Sequence, residues 1–255
     1  MKIKVIHLSK ILLFLTLLVT LLTVGISIVI ATSEDYIDVP IIMYHSILKD
    51  PSRSNKYTVT PAVLEEDLKY IKDKGYTTVT IADLISYVYD DSPLPEKPIV
   101  LTFDDGHYNN YGYLFPLLEK YDMKAVISIV GSYTDKFTET DEANLNYSYL
   151  RWKDIKELMD TGRIEFQNHT YNLHSNTGKR IGTKKIKGET DEHYKSILKD
   201  DILKLQQEFE ENTNYTPKCF TYPFGGISNA SLDIIKELGL SLIHISEPTR
   251  RSYIS

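Results

Sequence analysis

Residues 99–106 read Ile99-Val100-Leu101-Thr102-Phe103-Asp104-Asp105-Gly106, and the fold turns on this stretch. Its first five residues are apolar or β-branched, the pattern of a strand buried on both faces, as in a parallel sheet. The strand then runs straight into two carboxylates and a glycine. Neighbouring side chains on a strand point to opposite sides, so a turn at Gly106 is needed to bring both carboxylates to one rim. There they repel one another and are costly to desolvate. A cation is the natural remedy.

Outward from this strand, short β-rich runs alternate with helical ones. Strands are expected at 40–44, 77–81, 98–103, 125–130, 164–168 and 219–222, and helices at 61–74, 82–89, 111–121, 152–161, 191–212 and 229–238. Thr60 is a good N-cap and Pro61 suits a first helical turn. Gly75 and Gly239 fall just past helix ends, where a left-handed residue is wanted. Strands and helices at this spacing make βα units and a parallel sheet, either barrel or open. Sites in such folds are built at the C-terminal ends of the strands. The Gly-, Lys- and Thr-rich stretch 175–190 reads as a long exposed loop beside that end.

About sixty residues after the aspartates, the strand at 164–168 ends in His169-Thr170-Tyr171-Asn172-Leu173-His174. Two imidazoles and one of the aspartates would make a facial ligand set that leaves positions open for water and substrate. The other aspartate would then be free to accept a proton. Alone, an Asp-Asp-Gly triple is more often a turn, and a lone histidine more often a surface residue. What joins the two motifs is their common position at strand ends.

Together these residues resemble the polysaccharide deacetylases, the NodB-homology carbohydrate esterases. The resemblance runs from residue 39 to about 240 and includes Ile42-Met43-Tyr44-His45-Ser46, Leu150-Arg151-Trp152 and Tyr222-Pro223-Phe224-Gly225-Gly226. It implies an α/β fold, a distorted and incomplete (β/α) barrel. It also implies Asp104 as catalytic base, with Asp105, His169 and His174 binding a divalent metal, commonly Zn2+. The reaction implied is hydrolysis of an acetamide on an N-acetylated polysaccharide by a metal-activated water. Acetate leaves, and the oxyanion is stabilised by the metal and a backbone N–H near Tyr222, Pro223, Phe224 and Gly225. The family's usual element has three residues between its histidines; here there are four. Where many members carry an arginine that buttresses the base, this chain has Phe220-Thr221-Tyr222, which resembles the branch acting on exopolysaccharide. His45 either lines the pocket or bonds to backbone. Trp152 either stacks on sugar or packs under its helix. The rival functions are an O-deacetylase, such as an acetylxylan esterase, and a carbohydrate-binding homologue without catalysis.

The N-terminus reads as an address. Lys2, Lys4 and Lys10 precede a charge-free, largely apolar stretch at 11–31, whose 21 residues span about 30 Å as a helix, the thickness of a bilayer core. Glu34, Asp35 and Asp38 follow it, so residues 1–10 are expected in the cytoplasm and the rest outside. Residues 11–31 are then a signal-anchor and 32–39 a tether to a domain at 40–240; cleavage after Ala31 would instead release a secreted protein. A net charge of -6 argues against a nucleic-acid partner. Cys219, the single cysteine, cannot form an intrachain disulfide and reads as a small buried hydrophobe. The last stretch, 241–250 (SLIHISEPTR), is read as a translated sequencing-library adapter. On that reading the natural frame ends near Leu240, the final strands and the family's late histidine acid lie beyond it, and His244 is given no role.

Overall fold

The computed structural model describes residues 12–23 and 37–243, and the chain divides into two units, Met1–Asp38 and Val39–Ser255. In the first, residues 12–23 are helical (α1). The hydroxyls of Thr16, Thr20 and Thr23 donate to the carbonyls of Leu13, Leu17 and Thr20, which satisfies polar groups inside an apolar run. Among the described residues no helix is long and apolar enough to cross a membrane; the remainder of the expected anchor lies outside them.

The second unit is α/β. In chain order it holds β1 (Ile41–Tyr44), β2 (Ser46–Ile47), β3 (Thr58–Val59), α2 (Pro61–Asp73), β4 (Thr77–Thr78), α3 (Ile81–Asp90), β5 (Pro98–Asp105), α4 (Phe115–Tyr121), β6 (Ala125–Ile129), α5 (Gly131–Thr140), α6 (Trp152–Asp160), β7 (Ile164–Asn168), α7 (Asp191–Thr213), β8 (Cys219–Thr221), α8 (Asn229–Glu237) and β9 (Ser241–Ile243). Seven strands form one parallel sheet in the order β1-β5-β6-β7-β8-β9, with β4 also paired to β5. The sheet is curled and open, a half-barrel. β2 and β3 make a separate parallel pair.

The reasons are local and legible. β5 is buried along its length until Asp105, with Val100, Leu101 and Phe103 fully inaccessible. α2 buries Leu64, Leu68 and Ile71, and α7 buries Tyr194, Leu198, Ile202, Leu205 and Phe209; both are stripes at spacings of three and four that face the sheet. Thr60, Thr80, Thr190 and Ser228 cap α2, α3, α7 and α8 through their hydroxyls. Cys219 is fully buried, as expected of a small hydrophobe.

The expected strands and helices are present, with two changed in extent. The strand expected at 77–81 is confined to Thr77–Thr78, with Ile81 opening α3. The helix expected at 111–121 is α-helical only from Phe115, behind a wider π-turn at Asn110–Leu114. Three features go beyond the expected set. α5 has the sequence Gly-Ser-Tyr-Thr-Asp-Lys-Phe-Thr-Glu-Thr, rich in poor helix formers, and only packing makes it helical. β2 and β3 have two residues each, too few for a periodic signal. β9 falls in the stretch read as a non-native tail. Gly239 turns the chain at φ 71°, the Ser241 N–H donates to the Lys218 carbonyl at 2.8 Å, and Ser241 to Ile243 extend the sheet beside β8. The sheet therefore continues past the expected six strands. His244 lies outside the described residues.

Candidate active site

The register of the sheet assembles the site. Asp105 stands opposite Ile129, Ile129 opposite Asn168, and Asn168 opposite Phe220. The ends of β5 to β8 thus form one layer, and the residue leaving β7 is His169, whose N–H donates to the Ile129 carbonyl at 3.0 Å. On the other side Tyr44 pairs with Phe103, so His45 leaves β1 at the level of Asp104. Motifs distant in sequence meet because their strands are neighbours in register.

A left-handed turn closes β5. Asp105 and Gly106 both have φ 73°, so the turn begins one residue before the glycine. A Cβ on Gly106 would stand 2.8 Å from Ile129 Cγ2. The left-handed backbone costs an ordinary residue about 1–2 kcal/mol; at Asp105 it breaks the strand alternation and puts both carboxylates at the same end.

Asp105, His169 and His174 offer ligand atoms that all lie within 4.8 Å of one another. His174 Nε2 is 3.0 Å and His169 Nε2 3.6 Å from Asp105 Oδ1, yet that buried oxygen has no hydrogen-bond partner. Ligands held about 2.1 Å from a tetrahedral ion stand roughly 3.4 Å apart, the same range as these separations. His169 Nδ1 lies 2.8 Å from the Thr221 carbonyl. A carbonyl only accepts, so Nδ1 carries a proton, and the ring in its neutral form presents a lone pair at Nε2. The three residues fit a divalent cation, and three protein ligands leave coordination positions open, as in catalytic sites.

The adjacent aspartates have opposite proton affinities. Burial pushes Asp104 above the usual carboxylate range, and neighbouring Asp105 adds to this, against the pull of His169 and His45. Its Oδ1 is buried without a partner. Burial also acts on Asp105, but the facing imidazoles of His107, His169 and His174 outweigh it and hold this carboxylate well below the usual range. Adjacent titratable groups driven apart in this way are suited to different roles. Burial lowers His45, against both carboxylates, and so keeps it neutral.

A cavity of about 480 Å³ opens over these groups, within the range of small-molecule sites. His45 lines it, 5.0 Å from the Tyr57 ring. Tyr222, Phe224 and Gly225 line it as well, and the Phe224 ring lies 4.7 Å from His174. Pro223 is buried and does not line the cavity. The N–H groups of Gly225 and Gly226 donate within the turn, to the carbonyls of Tyr222 at 3.3 Å and Pro223 at 3.0 Å. Trp152 does not reach the cavity. It is 6% exposed, packs edge-on against Phe209 and donates to Asp135 at 2.9 Å, because its side chain falls on the buried stripe of α6.

Sequence reasoning missed His107 and Tyr149. His107 Nε2 is 3.4 Å from Asp105 Oδ2, and its ring stacks on Tyr149 at 4.7 Å. The signal was a histidine two residues beyond the carboxylate pair, which the turn at Asp105 and Gly106 folds back over the site. Tyr57 and Tyr147 complete an aromatic rim.

Similarity to known proteins agrees with this geometry. The chain is 25% identical over 224 residues to the poly-beta-1,6-N-acetyl-D-glucosamine N-deacetylase of Escherichia coli (strain K12), covering 81% of this chain and 33% of that protein. It is 27% identical over 184 residues to the enzyme of the same name from Staphylococcus aureus (strain MSSA476), covering 72% and 59%. The chain thus spans about a third of the length of the Escherichia coli relative. Among solved structures, a de-N-acetylase from Aggregatibacter actinomycetemcomitans superimposes with a TM-score of 0.68 at 25% identity, over 79% of this chain and 85% of that one. Residues 91–243, more than half of the chain, match the family model described as polysaccharide deacetylase, and the chain belongs to that family.

Proposed function

We propose that the chain is a metal-dependent N-deacetylase that releases acetate from an N-acetylglucosamine polymer of the cell surface or extracellular matrix. The observation that carries this reading is the Asp105, His169 and His174 triad beside a second buried carboxylate of opposite proton affinity. The donor set of one carboxylate and two imidazoles suits zinc, which when bound polarises a carbonyl and makes water easier to deprotonate. Asp104 is the base, and its Oδ1 has no competing donor. The Thr221 carbonyl holds the His169 ring in the liganding tautomer. Phe224 and Tyr222 shield one wall of the cavity, while the tyrosine rim offers faces for sugar rings to stack on. The choice of polymer rests on the names of the relatives. An extracytoplasmic location rests on the charge pattern around residues 11–31.

The test is acetate release by the zinc-loaded chain from poly-β-1,6-N-acetylglucosamine and from acetylxylan, run in parallel. Release from the first polymer and its loss in Asp104→Asn is the expected result. Release from xylan alone makes the protein an O-deacetylase. Binding of either polymer with no release makes it a carbohydrate-binding homologue.

A further inference from the structure

The segment between the two ligand histidines is long, and it begins in an unfavourable backbone state. Thr170, a buried β-branched residue, has φ 80°, a conformation that persists only where its surroundings over-determine it. Three elements hold the segment. From its own strand, Asn168 Oδ1 accepts from the Thr170 N–H at 2.9 Å. From the start of α5, the N–H groups of Gly131 and Ser132 donate to the carbonyls of Thr170 and Tyr171 at 3.1 and 2.8 Å. The Tyr133 hydroxyl also donates to the His174 carbonyl, at 3.2 Å.

The third hold comes from α7. Asp201 Oδ1 accepts from the Tyr171 N–H and Oδ2 from the Asn172 N–H, each at 2.8 Å. Two consecutive amides at the middle of the segment are gripped by the two oxygens of one side chain. Only a carboxylate makes this grip, because asparagine would turn one of its ends from acceptor to donor. Burial pushes Asp201 up to about 6, and the two amides and Lys204 oppose it.

We propose that Asp201 is a positioning residue for the metal site. Its grip on the Tyr171 and Asn172 amides sets the curve of the segment and so delivers His174 Nε2 to Asp105 Oδ1. The inference rests on the metal reading above, and it assigns Asp201 no contact with ion or substrate.

Zinc affinity of the full chain, measured by competition with a chromophoric chelator, tests it. Residues that orient metal ligands typically weaken binding by about 10–100-fold when removed. That loss is expected for Asp201→Ala, with Asp201→Asn in between. Leu118→Ala, in a fully buried core position on α4, should lower stability and leave zinc affinity unchanged, which separates positioning from general loosening. The cobalt(II) absorption spectrum should change in Asp201→Ala and not in Leu118→Ala. Where Asp201→Ala fails to fold, the isosteric Asp201→Asn carries the comparison. Zinc affinity in Asp201→Ala within about threefold of wild type, or in Asp201→Asn indistinguishable from wild type where the alanine variant does not fold, with wild-type binding still dependent on His169, overturns the positioning role alone. Absence of zinc binding by the wild-type chain overturns the metal reading and this inference with it.

Discussion

Replacing Asp104 by asparagine should affect rate and stability in opposite directions. The substitution keeps size and shape and removes the proposed base, a residue 4% exposed whose Oδ1 has no partner. A positioned general base contributes about 10²–10⁴ in rate, or roughly 3–5 kcal/mol of barrier, and kcat should fall by that factor with KM little changed. Stability should not fall with it. Burial holds the folded-state pKa of Asp104 above the unfolded value, so the folded chain binds this proton more tightly than the unfolded one. Its stabilising contribution is therefore full below the unfolded pKa and is lost as pH rises through the folded one. Above that window the carboxylate is a burden that asparagine does not carry. Urea denaturation in the absence of metal should show the variant no less stable than wild type at pH 8, with the comparison shifting in favour of wild type at low pH. In wild type, kcat should fall as pH drops through the raised pKa, placing the acid limb above the value of about 3.9 for an ordinary aspartate. A variant that releases acetate within a few-fold of the wild-type rate refutes Asp104 as the base. A variant that loses rate and unfolds readily at pH 8 refutes the claim that its charge is held at a cost.

His169→Ala and His174→Ala should each abolish measurable zinc binding and acetate release, and dipicolinate should remove activity that added zinc restores; activity that persists after metal removal contradicts the reading. Gly106→Ala meets both a left-handed φ and Ile129 Cγ2 at 2.8 Å, and should cost about 2–5 kcal/mol by urea denaturation, whereas a loss below about 1 kcal/mol would mean that the turn is slack. Trp152→Phe forfeits the bond to Asp135, and should cost about 1–3 kcal/mol by the same measurement; KM for the polymer should not move, and a raised KM would place the indole at the substrate after all.

The fold was legible in the sequence because its strands are continuous apolar runs and its helices carry capped stripes. The site was legible because parallel sheets gather strand ends, and β5 and β7 both end in chemistry-bearing residues. What escaped depended on information that no local pattern holds. α5 has little helix propensity and is fixed by backbone bonds to the Thr170 and Tyr171 carbonyls. His107 belongs to the site only because the turn starts at Asp105 and not at Gly106. Trp152 was readable either as a sugar platform or as core, and the buried stripe of α6 decides for core. Asp201 was a charge on a long helix, indistinguishable from its neighbour Asp200 until the fold laid Tyr171 and Asn172 over it.

The division of labour between Asp104 and Asp105 comes down to one backbone angle. Both are carboxylates, Asp104 is buried and Asp105 only partly exposed, and a single peptide separates them. Asp104 continues the strand, paired with Ser128, and burial is the largest influence on it. Asp105 turns left-handed and meets His107, His169 and His174. In an extended conformation it would point to the opposite side of the strand from Asp104, away from those rings, and burial would act on it as it acts on its neighbour. The same device recurs around the cavity, at Thr170 between the histidines and at Phe224 and Gly225 in the facing turn, all with positive φ. For the non-glycine residues Asp105 and Thr170 such conformations survive only where the surroundings over-determine them, and there β6, α5 and α7 supply the contacts. The strain is therefore a condition of the proposed chemistry: on that reading it lets one short stretch of chain hold a proton acceptor and a metal ligand side by side.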